Sequence, residues 1–191
     1  MARIGIVGLG NWGTALAKVW GSTGHSVMGW TIEEEVYASI TSTGINEKYL
    51  PGEVLDNVEA TMDLATICDA SEILVLSLPS GVVLSVLDDV IPHLRPSHAI
   101  LDLAKGLAPE TEDEPFISAV MEKKLAAAKC ANPVFVMTGP TIAPEVARGV
   151  STIALIAAHD RTMARRMADR LTTKTLKLHP ADDPLGAELW G

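Results

Sequence analysis

The chain has 191 residues, enough for one domain with a substantial core and short for two. Hydrophobic residues make up 48% and aromatics only 4%, so packing rests on aliphatic side chains, as expected for a sheet covered by helices on both faces. A formal net charge of -9 argues against a surface built for nucleic acid or for an anionic membrane.

In chain order, Arg3 to Val7 is a short run rich in β-branched residues and reads as a buried strand. It leads straight into Gly8–Gly13, a G-x-G-x-x-G. Trp12, Leu16, Val19 and Trp20 then share the spacing of one helical face. Strand, glycine turn and helix in this order suit a dinucleotide pyrophosphate. Gly8 allows the tight turn, Gly10 lets the backbone approach the phosphates, and Gly13 lets helix and strand pack closely. The helix start presents free N–H groups and the positive end of its dipole. Gly24 to Trp30 supplies a second strand at the distance a βαβ unit requires.

Thr31 and Glu34 have capping-box spacing, which predicts a helix start with Thr31 as N-cap. Glu33 to Glu35 carry two readings: acids that favour the helix dipole, or an acid placed to hold the adenosine ribose 2′-hydroxyl. Both disfavour a 2′-phosphate. Thr43 to Asn57 reads as a loop, Val58 to Thr61 as a short strand, and the following residues to about Ala70 as a helix. Glu72 to Leu78 is apolar enough to be a central strand, and Val82 to Ile91 is helical, with Pro92 and Pro96 marking the connection beyond.

His98 to Leu103 is a fifth strand, with Lys105 at its C-terminal edge, outside which ligands of open α/β sheets bind. The acidic Pro109–Pro115 loop, with Thr111 and Glu114 at capping-box spacing, reads as helix-start sequence without a site. Pro115 to Lys129 is helical and Val134 to Met137 is a sixth strand. Thr138 to Thr141 turns that strand into a helix carrying Glu145 and Val146. Its glycine and hydroxyls suit either an ordinary N-cap or an anionic or polyol ligand. Ser151 to Ala157, Asp160 to Leu171 and Lys174 to Leu178 complete the pattern as strand, helix and strand. Arg161, Arg165, Arg166, Arg170, Lys174 and Lys177 form a basic cluster that reads as a solvated face.

The two cysteines, Cys68 and Cys130, read as buried free thiols, and the five histidines have no metal-ligand spacing. Neither H-E-x-x-H nor G-x-S-x-G occurs. The apolar stretch Ile73 to Leu87 is broken by Pro79 and Gly81 and is too short to span a bilayer. The first strand starts after two residues, which predicts no signal peptide and a cytoplasmic location. The expected fold is α/β, a Rossmann-type doubly wound, mostly parallel sheet with helices on both faces, occupying residues 1–191 as one domain.

These blocks resemble the NAD(P)-dependent glycerol-3-phosphate dehydrogenase family in its prokaryotic form. The resemblance rests on Gly8–Ala17, Trp30, Asn46 with Tyr49–Gly52, Ala60 and Thr61 with Asp63 and Leu64, Pro79 and Ser80, Lys105 and Gly106, Gly139–Ala143 with Glu145, and Gly186 with Glu188 and Leu189. It implies reversible reduction of dihydroxyacetone phosphate to sn-glycerol 3-phosphate with NAD(P)H, feeding phospholipid synthesis. It further implies that Asn11 and Trp12 contact the cofactor pyrophosphate and that Ala143 meets the nicotinamide half. Lys105 would touch cofactor and substrate, and Gly139 and Thr141 would line the substrate site. A lysine ammonium there can stabilise alkoxide charge as hydride arrives and attract an anionic substrate.

Two departures shape the expectation. Where the family often carries Arg or His to hold a 2′-phosphate, this chain has Ile32 followed by three glutamates, which predicts NADH over NADPH. The family also continues beyond Glu188–Gly191 with a lysine general acid/base and an all-helical domain that completes the substrate pocket and the homodimer interface. The 191 residues therefore read as the cofactor-binding half, able to bind dinucleotide and to turn over poorly alone. Two alternatives stay open: a stand-alone NAD(H)-binding module without catalysis, and a Rossmann dehydrogenase for another small hydroxy or keto substrate.

Overall fold

The computed structural model describes residues 1–190. Its elements follow in the order β1 (Arg3–Val7), α1 (Asn11–Ser22), β2 (Ser26–Trp30), α2 (Glu34–Thr43), β3 (Val58–Thr61), α3 (Leu64–Ala70), β4 (Ile73–Leu76) and α4 (Ser80–Val90). They continue with β5 (Ala99–Asp102), α5 (Ile117–Ala127), β6 (Val134–Thr138), α6 (Ala143–Ala147), β7 (Thr152–Ala157), α7 (Arg161–Leu171), β8 (Leu176–Ala181) and α8 (Pro184–Leu189).

All eight strands form one sheet in the order β3-β2-β1-β4-β5-β6-β7-β8. The first six are parallel, β7 runs antiparallel to β6, and β8 is parallel to β7. The order 3-2-1-4-5-6 is that of a doubly wound dinucleotide-binding sheet, and its direction reverses between β1 and β4.

Strands covered on both faces need apolar side chains in both directions, which is why they read as unbroken apolar runs. In β4, Ile73 and Val75 join the core beneath α1, α2, α6 and α7, while Leu74 and Leu76 join the core beneath α3, α4 and α5. Trp20 of α1 is fully buried in the first core and its indole N–H donates to the Leu171 carbonyl at 3.0 Å, tying α1 to the end of α7. A buried indole needs such a partner.

Several local expectations are corrected. Thr31 is not the N-cap of α2: Glu33 is, and the Thr31 hydroxyl accepts the Glu33 N–H at 3.1 Å in a turn one step earlier. Thr111 and Glu114 start no helix. Leu107 bridges to Phe116, and α5 begins at Ile117 with a cap that comes from far along the chain. Thr141 does not cap α6, whose N-cap is Ile142. Cys68 is buried and free, but Cys130 is only half-buried. The basic cluster on α7 faces solvent, where Arg161 pairs with Asp182, Arg165 with Asp169, and Arg170 with Glu72. Among the described residues no helix is long and apolar enough to cross a membrane.

Candidate functional site

The β1–α1 turn is held by close backbone approaches. Gly8 has φ +107, and a Cβ there would lie 2.4 Å from the Ser77 carbonyl oxygen; a Cβ on Gly13 would lie 2.0 Å from the Gly8 carbonyl oxygen. Both positions exclude any side chain for reasons internal to the fold. Gly10 differs, because a Cβ there would meet nothing within 4 Å and would project into open space. Gly10 is the N-cap of α1, and neither a side-chain cap nor an acid occupies the first turn. The N–H groups and positive dipole end of a twelve-residue helix are thus left open toward an anion. A cradle empty of side chains, at a helix start with free donors, fits a pyrophosphate.

A cleft of about 520 Å³ opens there, at the reversal of strand order. It is walled by Gly10, Asn11 and Trp12 after β1, Ser77–Ser80 after β4, Leu103 and Lys105 after β5, and Thr141 and Ala143 after β6. Residues from four separate stretches thus converge at the C-terminal edge of the parallel sheet. A second cleft of about 760 Å³ adjoins it, lined by Thr138, Gly139, Pro140, Ile153, Leu155, Asp183 and Trp190 among others. Lys105 lines both. Gly139 lies in the second cleft and Thr141 in the first, so the two residues expected to share one substrate site stand on either side of Lys105.

Ile32 is not part of either cleft. It is 75% exposed in the β2–α2 connection. The acids beside it are engaged: Lys48 bonds both Glu33 and Glu35, and the Tyr49 hydroxyl donates to Glu33 at 2.7 Å. Lys48 first and Tyr49 second hold the Glu33 carboxyl below its ordinary range. This corner is wired to the glycine turn through fully buried Asn46. Its amide donates to the Leu9 carbonyl at 2.9 Å and to the Thr14 hydroxyl at 2.8 Å, while its carbonyl accepts the Tyr49 N–H at 3.3 Å. Asn46 is among the residues that carry the family resemblance, but its sequence context assigns it no role. Its burial supplies one.

Two buried carboxylates near Lys105 also escaped the sequence. Asp102, the last residue of β5, is fully buried; Oδ1 accepts the Ala104 N–H at 3.0 Å and Oδ2 has no partner among the described residues. Burial pushes its carboxyl up to about 7; the Ala104 N–H pulls the other way, and the charge of Glu188 adds to the rise. Glu188, on α8, is also buried and caps α5. Nothing in a strand-end aspartate signals such burial in sequence. No group of three or more metal-binding side chains occurs among the described residues.

Residues 3–164 match the family model described as NAD-dependent glycerol-3-phosphate dehydrogenase N-terminus. The chain is 31% identical over 193 aligned residues to a glycerol-3-phosphate dehydrogenase [NAD(P)+] of Lactobacillus delbrueckii, covering all of this chain and 57% of that protein. It is 33% identical to the glycerol-3-phosphate dehydrogenase [NAD(P)+] of Paramagnetospirillum magneticum, covering all of this chain and 67% of that protein. Its structure is similar to the crystal structure of glycerol-3-phosphate dehydrogenase from Coxiella burnetii, with TM-score 0.86 and 26% identity over 98% of this chain and 56% of the other. A UDP-N-acetylmannosamine dehydrogenase structure from Pyrococcus horikoshii, at TM-score 0.74 and 15% identity, shares the fold alone. The chain spans little more than half the length of most of the curated relatives it matches.

Proposed function

The chain belongs to the NAD-dependent glycerol-3-phosphate dehydrogenase N-terminal family, and on that premise we propose that it is the cofactor-binding half of an enzyme interconverting dihydroxyacetone phosphate and sn-glycerol 3-phosphate with NAD(P)H. One observation carries the proposal: Lys105 lines both the cleft over the glycine turn and the second cleft beside it, a position from which one side chain can reach both a dinucleotide and a small anionic substrate.

In this reading the turn Gly8, Gly10 and Gly13, with Asn11 and Trp12, holds the pyrophosphate. Ala143, across the same cleft, meets the nicotinamide end. The dinucleotide supplies the hydride. The chain's own residues orient the ring, and the Lys105 ammonium attracts the substrate phosphate or stabilises negative charge on the reacting oxygen. Gly139 and Thr141 border the substrate on the two sides of Lys105. Ile153 and Trp190, exposed apolar side chains of the second cleft, are surfaces against which the second half of the longer relatives would pack and complete the pocket. Assembly as a homodimer through that half, a cytoplasmic setting and a role in supplying phospholipid synthesis follow from the same reading.

NADH is the preferred dinucleotide. The exposed Ile32 side chain offers a 2′-phosphate no donor, and Lys48, beside the neighbouring acids, is already bonded to Glu33 and Glu35. Calorimetric titration of the chain with NADH and NADPH, each with and without dihydroxyacetone phosphate, tests this. The expected result is NADH binding that the triose phosphate leaves unchanged. No dinucleotide binding by a chain that melts cooperatively overturns the proposal, and NADPH binding tenfold tighter than NADH overturns the cofactor preference.

A further inference from the structure

Asp102 is an expensive residue. A carboxyl group removed from water without a counter-charge costs free energy, and among the described residues no cation acts on this one. The charged group that faces it from α8 is Glu188, of like sign, and the Lys105 side chain is exposed rather than folded back over it. Oδ2 is buried with no partner among the described residues. What Asp102 does make is one short-range bond, from the Ala104 N–H to Oδ1 at 3.0 Å. That bond closes a turn two residues beyond the end of β5, and the next residue is Lys105. Gly106, with φ +96, carries the chain away on the other side. The lysine therefore leaves the sheet from a backbone gripped on one side by a buried side chain and released on the other by a glycine.

Resting on the reading of the first cleft as a dinucleotide site, we propose that Asp102 is a positioning residue for Lys105, its Oδ1 fixing the Ala104 turn that holds the ammonium between the two clefts. Asp102 lines neither cleft and acts only through the lysine. Asparagine keeps the acceptor and the shape without the charge; alanine removes the acceptor.

The test is NADH affinity of the 191-residue chain by calorimetry, in a cycle of Asp102→Asn, Asp102→Ala, Lys105→Ala and the double variant Asp102→Ala with Lys105→Ala. The expected result is that Asp102→Ala weakens NADH binding about fivefold to tenfold, that Asp102→Asn stays within about threefold of the unsubstituted chain, and that Asp102→Ala adds nothing further when Lys105 is already alanine. A merely structural role predicts the same loss in both backgrounds, and that outcome overturns the inference. So does an Asp102→Ala variant that binds like the parent. Thermal melts accompany each variant to establish that it is folded at the titration temperature. Failure of the unsubstituted, folded chain to bind NADH overturns the dinucleotide reading and this inference with it. Intact binding with no Asp102 effect overturns the inference alone.

Discussion

The carboxylate of Glu188 closes the start of α5 from 71 residues away in sequence: Oε1 accepts the Ile117 N–H at 2.5 Å, and Oε2 accepts the Ser118 N–H at 3.2 Å and the Ser118 hydroxyl at 2.5 Å. The helix supplies no side-chain cap of its own, and its N-cap residue is Phe116. A negative charge at a helix N-terminus satisfies orphan donors and opposes the dipole at once. The same contact docks α8, and with it the Asp183 to Trp190 wall of the second cleft, against the body of the domain.

Glu188→Ala is therefore expected to lower the unfolding free energy by about 2–3 kcal/mol, since it leaves two backbone donors buried without partners. Glu188→Gln keeps an acceptor and is expected to lose about half of that. Urea melts of the three proteins at neutral pH check the order; an alanine variant as stable as the parent rules out the cap as a source of stability.

Asp102 gives the molecule a pH-dependent stability of unusual sign. Burial pushes its carboxyl from the ordinary aspartate range up to about 7, so between about pH 4 and pH 7 the folded chain holds a proton that the unfolded chain has released. Stability falls as pH rises from about 4 to about 7 and is level above, by an amount on the order of 4 kcal/mol at most. Asp102→Asn removes this dependence, so it is expected to be clearly more stable than the parent at pH 8 and close to it at pH 4. Parallel melts at the two pH values decide it, with equal curves at pH 8 as the contrary result.

The three glycines of the first turn separate by role. Gly13→Ala would press a Cβ to 2.0 Å from the Gly8 carbonyl oxygen, and a loss of about 2 kcal/mol or more in stability is expected. Gly10→Ala has open space and φ -71, which alanine adopts freely, so stability is expected to change by less than about 1 kcal/mol. Its methyl group would occupy the cleft instead, and NADH affinity is expected to fall about tenfold or more. A Gly10→Ala chain that binds NADH normally would show that the phosphates do not approach this backbone.

The sheet was legible because each of its central strands needs apolar side chains on both faces; Ile73 to Leu76 has no other plausible use. Glycine punctuation located the first turn for the same kind of reason, since backbone approach within van der Waals distance leaves no residue choice. The capping boxes misled. Thr31 and Thr111 have the right neighbours at the right spacing, but Thr31 closes a turn one step before the helix, and α5 takes its cap from Glu188. Local sequence cannot show a partner 71 residues away. Asp102 was missed because it stands at the end of an apolar strand, where exposure is the ordinary state of an aspartate, and its burial appears only in the folded chain, where Glu188 from α8 acts on it. The position of Lys105 beyond the C-terminal edge of β5, where it lines both clefts, was legible from topology alone, because ligands of such sheets bind at that edge.

The proposed preference for NADH rests on a surface position. Ile32 is exposed beside a carboxylate pair already bonded to Lys48, with the Tyr49 hydroxyl on Glu33. In the proposed binding mode a 2′-phosphate arriving there meets two acids, and to recruit Lys48 it must break both bonds. Arginine at residue 32 changes that balance, because its planar fork can take the phosphate bidentately while its stem lies along the surface the isoleucine now occupies. Ile32→Arg is expected to tighten NADPH binding about tenfold and to leave NADH within about twofold. Lys48→Ala should move the preference the other way, since the freed charges of Glu33 and Glu35 then repel the extra phosphate without a counter-ion. Competitive titration of NADH and NADPH against both variants checks the pair. If Ile32→Arg changes the two affinities alike, the adenosine ribose does not reach this corner, and discrimination must be sought at the other end of the cleft.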